Sequence, residues 1–209
     1  MENQNKVILD LCGGTGSWSK PYKDAGYQVI NVTLPKYDIK KWRKYPSIAR
    51  AIQGGVYGIL AAPPCTMFSM ARTVAKTPRD LKGAMEVVKA CLEIIWECQY
   101  SDRRLKFWAL ENPKARLRWF LGKPALAFNP YDFGNAHRKP TDIWGNFNTE
   151  LKKNKVRLNK KQRKQSQLNS QELPPIPSDY VMDPAMSKRA VARSITPAGF
   201  AEAFFKANK

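Results

Sequence analysis

Gly58-Ile59-Leu60-Ala61-Ala62-Pro63-Pro64-Cys65-Thr66-Met67-Phe68-Ser69 is an apolar run that halts at two prolines and then presents a cysteine. The short apolar stretch 56–61 reads as a central parallel strand covered on both faces. Two prolines cannot continue its hydrogen-bond ladder, so the chain must leave the sheet at Pro63. In open α/β sheets ligands bind beyond the carboxyl ends of the strands, which puts Cys65 where chemistry is expected. A lone cysteine after a turn reads equally as a buried structural residue.

Two further strand ends resemble it. Val7-Ile8-Leu9-Asp10-Leu11 closes on Cys12-Gly13-Gly14-Thr15-Gly16-Ser17, a glycine-rich turn that lets a backbone approach a ligand closely. Phe107-Trp108-Ala109-Leu110 ends on Glu111-Asn112-Pro113, a carboxylate and an amide just before a proline. Residues 20–25 predict a first helix ending at Gly26, and residues 27–32 a second strand, so the chain opens with a β-α-β unit. Asp38 reads as a cap for a helix over 40–45. Thr77-Pro78-Arg79-Asp80 predicts a helix start. Ala84, Val87, Val88, Cys91, Ile94, Ile95 and Cys98 carry that helix's apolar stripe to about residue 100. A strand interrupted by Pro130 is expected at 126–133, another at Ile143-Trp144, and an amphipathic helix ending at Asn208.

In this order, the glycine-rich turn, Pro63-Pro64-Cys65 and Glu111-Asn112 resemble the S-adenosylmethionine-dependent cytosine-5 DNA methyltransferases, in a compact, phage-like branch without a large target-recognition domain. The resemblance implies an α/β chain with a Rossmann-like, doubly wound, mostly parallel sheet, the class I methyltransferase fold. It would span residues 1–209 as a single domain with a mobile basic insertion at about 150–172. Cys65 would be the nucleophile, Glu111 the acid facing ring nitrogen-3, and Arg138 the base-pocket cation. The cofactor S-adenosylmethionine would meet Asp10, Cys12, Gly13, Gly14, Thr15, Gly16, Ser17, Trp18, Thr33, Asp38 and Pro63. Pro64, Ser69, Arg72, Asn112, Lys152, Lys153, Arg157, Lys160 and Lys161 would meet the nucleic acid. The chain departs from the family pattern in four places. Pro113 stands for a valine, Thr33 for an acid on the cofactor ribose, Cys12 for a phenylalanine on the adenine, and no Gln-x-Arg-x-Arg surrounds Arg138.

Composition supports a polyanionic partner. Across 209 residues, 36 Lys and Arg against 17 Asp and Glu give a net charge of +19, far beyond what solubility requires. Residues 151–164 contain no acid and are expected to order only on a phosphate backbone. Residues 67–76 also lack acids and read as a mobile loop over nucleic acid or as plain surface. The four cysteines show no Cys-x-x-Cys spacing, which fits a reducing cytoplasm of a bacterium or a phage-infected host; Cys91 and Cys98 read as core. One histidine, His137, excludes a metal cluster of histidines and a Ser-His-Asp triad. No long apolar segment points to a membrane. The expected partner is DNA, with a flipped or single-stranded cytosine, and the chain is expected to act as a monomer. Cytosine-5 methylation of RNA such as transfer RNA stays open, as does a non-catalytic basic DNA-binding protein of the same fold. Amino methylation fits poorly, because Ala62 precedes the prolines where an Asp, Asn or Ser is needed and Cys65 follows where an aromatic is needed.

Overall fold

The computed structural model of the chain describes residues 3–70, 76–101, 104–160, 162 and 173–209. Strand β1 (Val7–Leu11), helix α1 (Lys20–Asp24) and strand β2 (Gln28–Val32) make the opening β-α-β unit. A 3-10 helix (Ile39–Lys44), α2 (Pro46–Gly54), β3 (Gly58–Ala61), the long α3 (Leu81–Ser101) and β4 (Phe107–Pro113) follow. The chain then forms α4 (Arg118–Leu121), β5 (Leu126–Phe128), a 3-10 turn (Pro130–Asp132), β6 (Thr141–Asn146), α5 (Lys188–Ser194) and α6 (Ala198–Ala207).

The strands form one six-stranded sheet in the order β2-β1-β3-β4-β6-β5. Only β6 is reversed, pairing antiparallel with both β4 and β5, while β1 pairs parallel with β2 and β3, and β3 with β4. A mostly parallel sheet whose last strand inserts antiparallel between the two preceding ones is the Rossmann-like, class I methyltransferase arrangement. From β1 the chain moves to one side for β2 and to the other for β3, so the switch-point crevice opens beyond the ends of β1 and β3.

Strand alternation divides the core between the two faces of the sheet. Leu9, Leu11, Ile59, Ala61 and Leu110 face one layer with Val88, Cys91, Ile94, Ile95 and Cys98 of α3. Ile8, Leu60, Phe107, Ala109 and Ile143 face the other with Tyr22 of α1 and Phe200 and Phe204 of α6. This second layer is rich in rings. Phe128 stacks on Phe200 at 4.0 Å between centroids, and Trp18 meets Phe204 edge-on at 5.4 Å.

Several boundaries differ from the sequence reading. Asp80 rather than Thr77 starts α3, with Asp80 Oδ1 accepting from the Gly83 N–H at 2.8 Å. A carboxylate oxygen three residues ahead satisfies an orphan helix donor that the Thr-Pro pair does not reach. Strand β4 runs on to Pro113, because β6 continues to pair with it (Pro113 opposite Thr141) after β3 has stopped opposite Leu110. The expected strand at 126–133 gives way to a 3-10 turn at Pro130. Helices α2 and α5 carry no prediction from the sequence.

The basic segment is anchored through residue 160 rather than loose. Leu151 and Leu158 are buried, Val156 N–H donates to Tyr131 O at 2.8 Å, and Asn154 bridges to Phe133. Two leucines spaced among lysines bury their side chains and leave Lys152, Lys153, Lys155, Arg157 and Lys160 exposed. Residues 161 and 163–172, the rest of the expected insertion, lie outside the described residues. Among the described residues, no helix is long and apolar enough to cross a membrane.

Candidate active site

Three strand ends converge at the crevice. Beyond β1, the turn at residues 13–16 closes with Gly16 N–H donating to Gly13 O at 2.9 Å. Gly14 stands at φ 54° and Gly16 at φ 72°, the left-handed conformation that glycine tolerates. Asp10 lies directly beneath: its side chain fills the space a Cβ on Gly13 would need, so no other residue fits there. Asp10 is fully buried and accepts from Ser19 Oγ at 2.5 Å through one oxygen, while its Oδ1 has no partner. Burial pushes its pKa from 3.8 to about 6, with the Ser19 bond opposing the rise.

Asn31 occupies the β2 position opposite Asp10 and escaped the sequence reading. Its Nδ2 donates to Gly14 O at 2.9 Å, holding the turn, and its buried Oδ1 is also unpartnered. The signal was available, since register places residue 31 beside residue 10 once both strands are recognised. Two orphaned buried acceptors beneath an open glycine turn are the complement of a cationic amino-acid group. The residues therefore fit S-adenosylmethionine, whose methionyl end carries an ammonium. Thr15 and Ser17 share a hydroxyl–hydroxyl bond of 2.6 Å on the turn. Thr33 sits half-buried just past β2, its carbonyl accepting from Tyr37 N–H at 2.9 Å.

The second half of the site lies past β3 and β4. Pro63 is buried and its carbonyl accepts from Asn112 Nδ2 at 2.9 Å, which ties the Cys65 loop to the end of β4. Asn112 is itself fully buried, and its Oδ1 is unpartnered. Pro64 is exposed at the rim. Cys65 O accepts from the N–H groups of Phe68 and Ser69 at 3.0 and 2.8 Å, a tight turn that presents the thiol. Arg79 Nη1 donates to Met67 O at 2.7 Å and steadies the loop from the side of α3.

Electrostatics identify what faces the thiol. Burial pushes the Cys65 thiol above its usual 9.0; the Lys139 ammonium draws it down, the Glu111 carboxylate pushes it up, and Arg193 draws it down. Burial likewise raises Glu111 above 4.5, against Lys139 and with Asp142. Cys65, Glu111 and Lys139 thus act on one another electrostatically, a thiol, a carboxyl and a cation.

The cation that acts on both groups is the neighbour of the expected Arg138. Arg138 is exposed, whereas Lys139, one residue on, is half-buried, acts on both groups and donates from Nζ to Arg193 O at 3.4 Å. Three of the residues expected at the cofactor have other partners in the fold. Trp18 is buried between Phe200 and Phe204, packing α6 against the turn. Cys12, at φ 56°, packs against the core layer of α3, where its thiol engages that of Cys91. Asp38 caps the 3-10 helix, accepting from Lys40 N–H at 3.1 Å and pairing with Lys41 at 3.5 Å, which commits both of its oxygens. Arg72 and Lys161 lie outside the described residues.

No family model matches the chain, and no curated relative does. Among solved structures it is similar to the DNMT2 of Spodoptera frugiperda, 16% identical over 66% of this chain and 48% of that one, with a TM-score of 0.42. It is also similar to the Dnmt2 methyltransferase of S. pombe, 12% identical over 67% of this chain and 48% of that one, with a TM-score of 0.36. The chain spans about half the length of these two proteins.

Proposed function

We propose that this chain transfers a methyl group from S-adenosylmethionine to carbon-5 of cytosine in DNA. The observation that carries the reading is the meeting of Cys65, Glu111 and Lys139 beyond the ends of β3 and β4, next to the glycine turn. Carbon-5 of cytosine is a poor nucleophile until a thiolate adds at carbon-6. Bound over residues 13–16, with Asp10 and Asn31 beneath, the cofactor supplies an electrophilic methyl group on a sulfonium.

The chain's own residues handle one proton. Burial raises the pKa of both the Cys65 thiol and Glu111, which favours a pocket that keeps a proton. As Cys65 sulfur bonds to carbon-6, its proton passes to Glu111 and on to ring nitrogen-3, so the ring is neutralised and electron density reaches carbon-5. Lys139 holds both groups closer to their charged forms, and Arg138 keeps its part as the cation for the cytosine carbonyl at position 2. After methylation carbon-5 loses its proton to water, the carbon–sulfur bond breaks, and the proton on ring nitrogen-3 returns through Glu111 to the sulfur, which restores the thiol. Asn112 positions the loop rather than reacting. The exposed cations of residues 152–160 suit a phosphate backbone.

The test is incubation with radiolabelled S-adenosylmethionine and duplex DNA, single-stranded DNA or transfer RNA, followed by nucleoside analysis. Labelled 5-methylcytosine in DNA is expected, lost in Cys65→Ser and severely reduced in Glu111→Gln, with DNA binding and fold retained in both. Label in transfer RNA alone would change the substrate class. Binding of DNA with no label in any pool would favour a non-catalytic protein, and near-wild-type turnover by Cys65→Ser would remove the mechanism.

A further inference from the structure

The short helix α4 turns two aromatic rings outward. Trp119 is 70% exposed and Phe120 47%, beside Met70 at 61%. Single exposed apolar residues are ordinary, but these are contiguous. The Arg116 guanidinium lies 5.3 Å from the Trp119 ring and donates to Met70 Sδ at 3.1 Å, while Phe120 meets buried Phe68 edge-on at 6.3 Å. Phe68 belongs to the turn that presents Cys65, and Arg116 N–H donates to Phe68 O at 3.4 Å, so the patch and the nucleophile loop are one connected surface.

The rings are held in place by the fold. Arg118, between them and the sheet, makes a bidentate pair with fully buried Asp142, both bonds 2.6 Å. Gly122 O, just past the helix, accepts from Trp144 Nε1 at 3.1 Å. Both ends of α4 are thereby fastened to β6. Residues 114–123 carry Lys114, Arg116, Arg118 and Lys123 and no acid. A second copy of this chain, itself at +19, would be repelled from such a face.

Exposed rings set among cations, beside a nucleophile, match an unstacked base on a polyanionic strand. Resting on the cytosine reading above, we infer that Trp119, with Phe120, is a stacking platform for the nucleotide next to the target cytosine on the same DNA strand. Drawing a cytosine out of its stack leaves that neighbour with an uncovered face, and the platform covers it without reading its identity.

The experiment is a fluorescence-anisotropy titration of the full chain with a labelled single-stranded oligodeoxynucleotide containing one cytosine. It is repeated at several salt concentrations and with an abasic residue on either side of the cytosine. Trp119→Ala should weaken binding roughly tenfold, and Trp119→Phe much less. The salt slope should not change, because a ring releases no counterions. One abasic position should cost the wild type a similar factor and cost Trp119→Ala almost nothing, which is the coupling expected of two groups in contact. Equal binding by Trp119→Ala, an abasic penalty undiminished in that variant, or coupling seen only with the matching RNA strand would each overturn the proposal. Sedimentation showing that Trp119→Ala breaks up an oligomer would overturn it too. The readout is binding, so absence of methyl transfer from every substrate would defeat the proposed activity while leaving the coupling intact.

Discussion

Asp10→Asn isolates the cost of placing a carboxylate under the cofactor turn. The folded pKa is about 6 against an ordinary 3.8, with burial as the main cause. Below the unfolded value Asp10 is protonated in both states and its titration contributes nothing. Between the two values the unfolded chain ionises while the folded chain does not, so stability falls as pH rises. Above the folded value both are ionised and the penalty is complete, about 3 kcal/mol at 1.36 kcal/mol per unit. Asparagine keeps an acceptor for Ser19 and has no charge to bury. Any fixed offset from the amide is independent of pH, so the change with pH in the stability gap between variant and wild type belongs to Asp10. Urea melts of both proteins from about pH 4 to about pH 7.5 should show that gap growing in favour of the variant by about 2–3 kcal/mol, since part of the penalty is already present at the lower limit. In thermal melts this amounts to roughly 5–10 °C. The same variant should bind S-adenosylmethionine more weakly, a trade of stability for function. A gap that stays constant within about 0.5 kcal/mol over that range would show that Asp10 is hydrated or neutralised in the folded state, and the reasoning would fail.

Two other outcomes follow from single contacts. Lys139 lowers the pKa of both Cys65 and Glu111, and the proposed mechanism moves one proton between them. kcat/KM should therefore be bell-shaped in pH, and Lys139→Met should move both limbs to higher pH; a profile that loses height without moving would make Lys139 merely structural. Arg118→Ala leaves the carboxylate of Asp142 buried and unpaired, at a cost of about 3–5 kcal/mol in denaturant unfolding. Arg118→Met combined with Asp142→Leu should recover most of that loss, and a single-variant loss below about 1 kcal/mol would mean the pair is solvated.

The strands that build the crevice were legible because their signals are local. Residues 7–11, Asp10 apart, and 58–61 are apolar and end near glycine or proline, and buried parallel strands look that way whatever surrounds them. The site residues at their ends were legible as positions, but side-chain direction was not. Arg138 and Lys139 are neighbours in an irregular stretch before β6, and only the folded chain leaves the first exposed and the second half-buried. Cys12 reads as crevice-facing until its left-handed backbone turns the side chain toward Cys91. Trp18 reads as a ring for a ligand because it adjoins the glycine turn, yet its partners Phe200 and Phe204 lie at the far end of the chain. In the basic segment, charge repulsion dominated the reading, and two buried leucines outweighed it.

The packing of α6 on the first turn sets an order of assembly during synthesis. Trp18 lies against Phe200 and Phe204, and the Tyr22 hydroxyl donates to Asn208 O at 3.1 Å. A ribosome releases residues 7–22 long before residues 200–208, so the nascent turn emerges with the faces of Trp18 and Tyr22 uncovered. Contacts of such sequence separation form slowly and leave aromatic surface open to chaperones in the interval. This layer of the core is then completed in one late step, when the final helix docks, and a ribosome that stalls before residue 198 yields a chain whose Trp18 and Tyr22 stay uncovered.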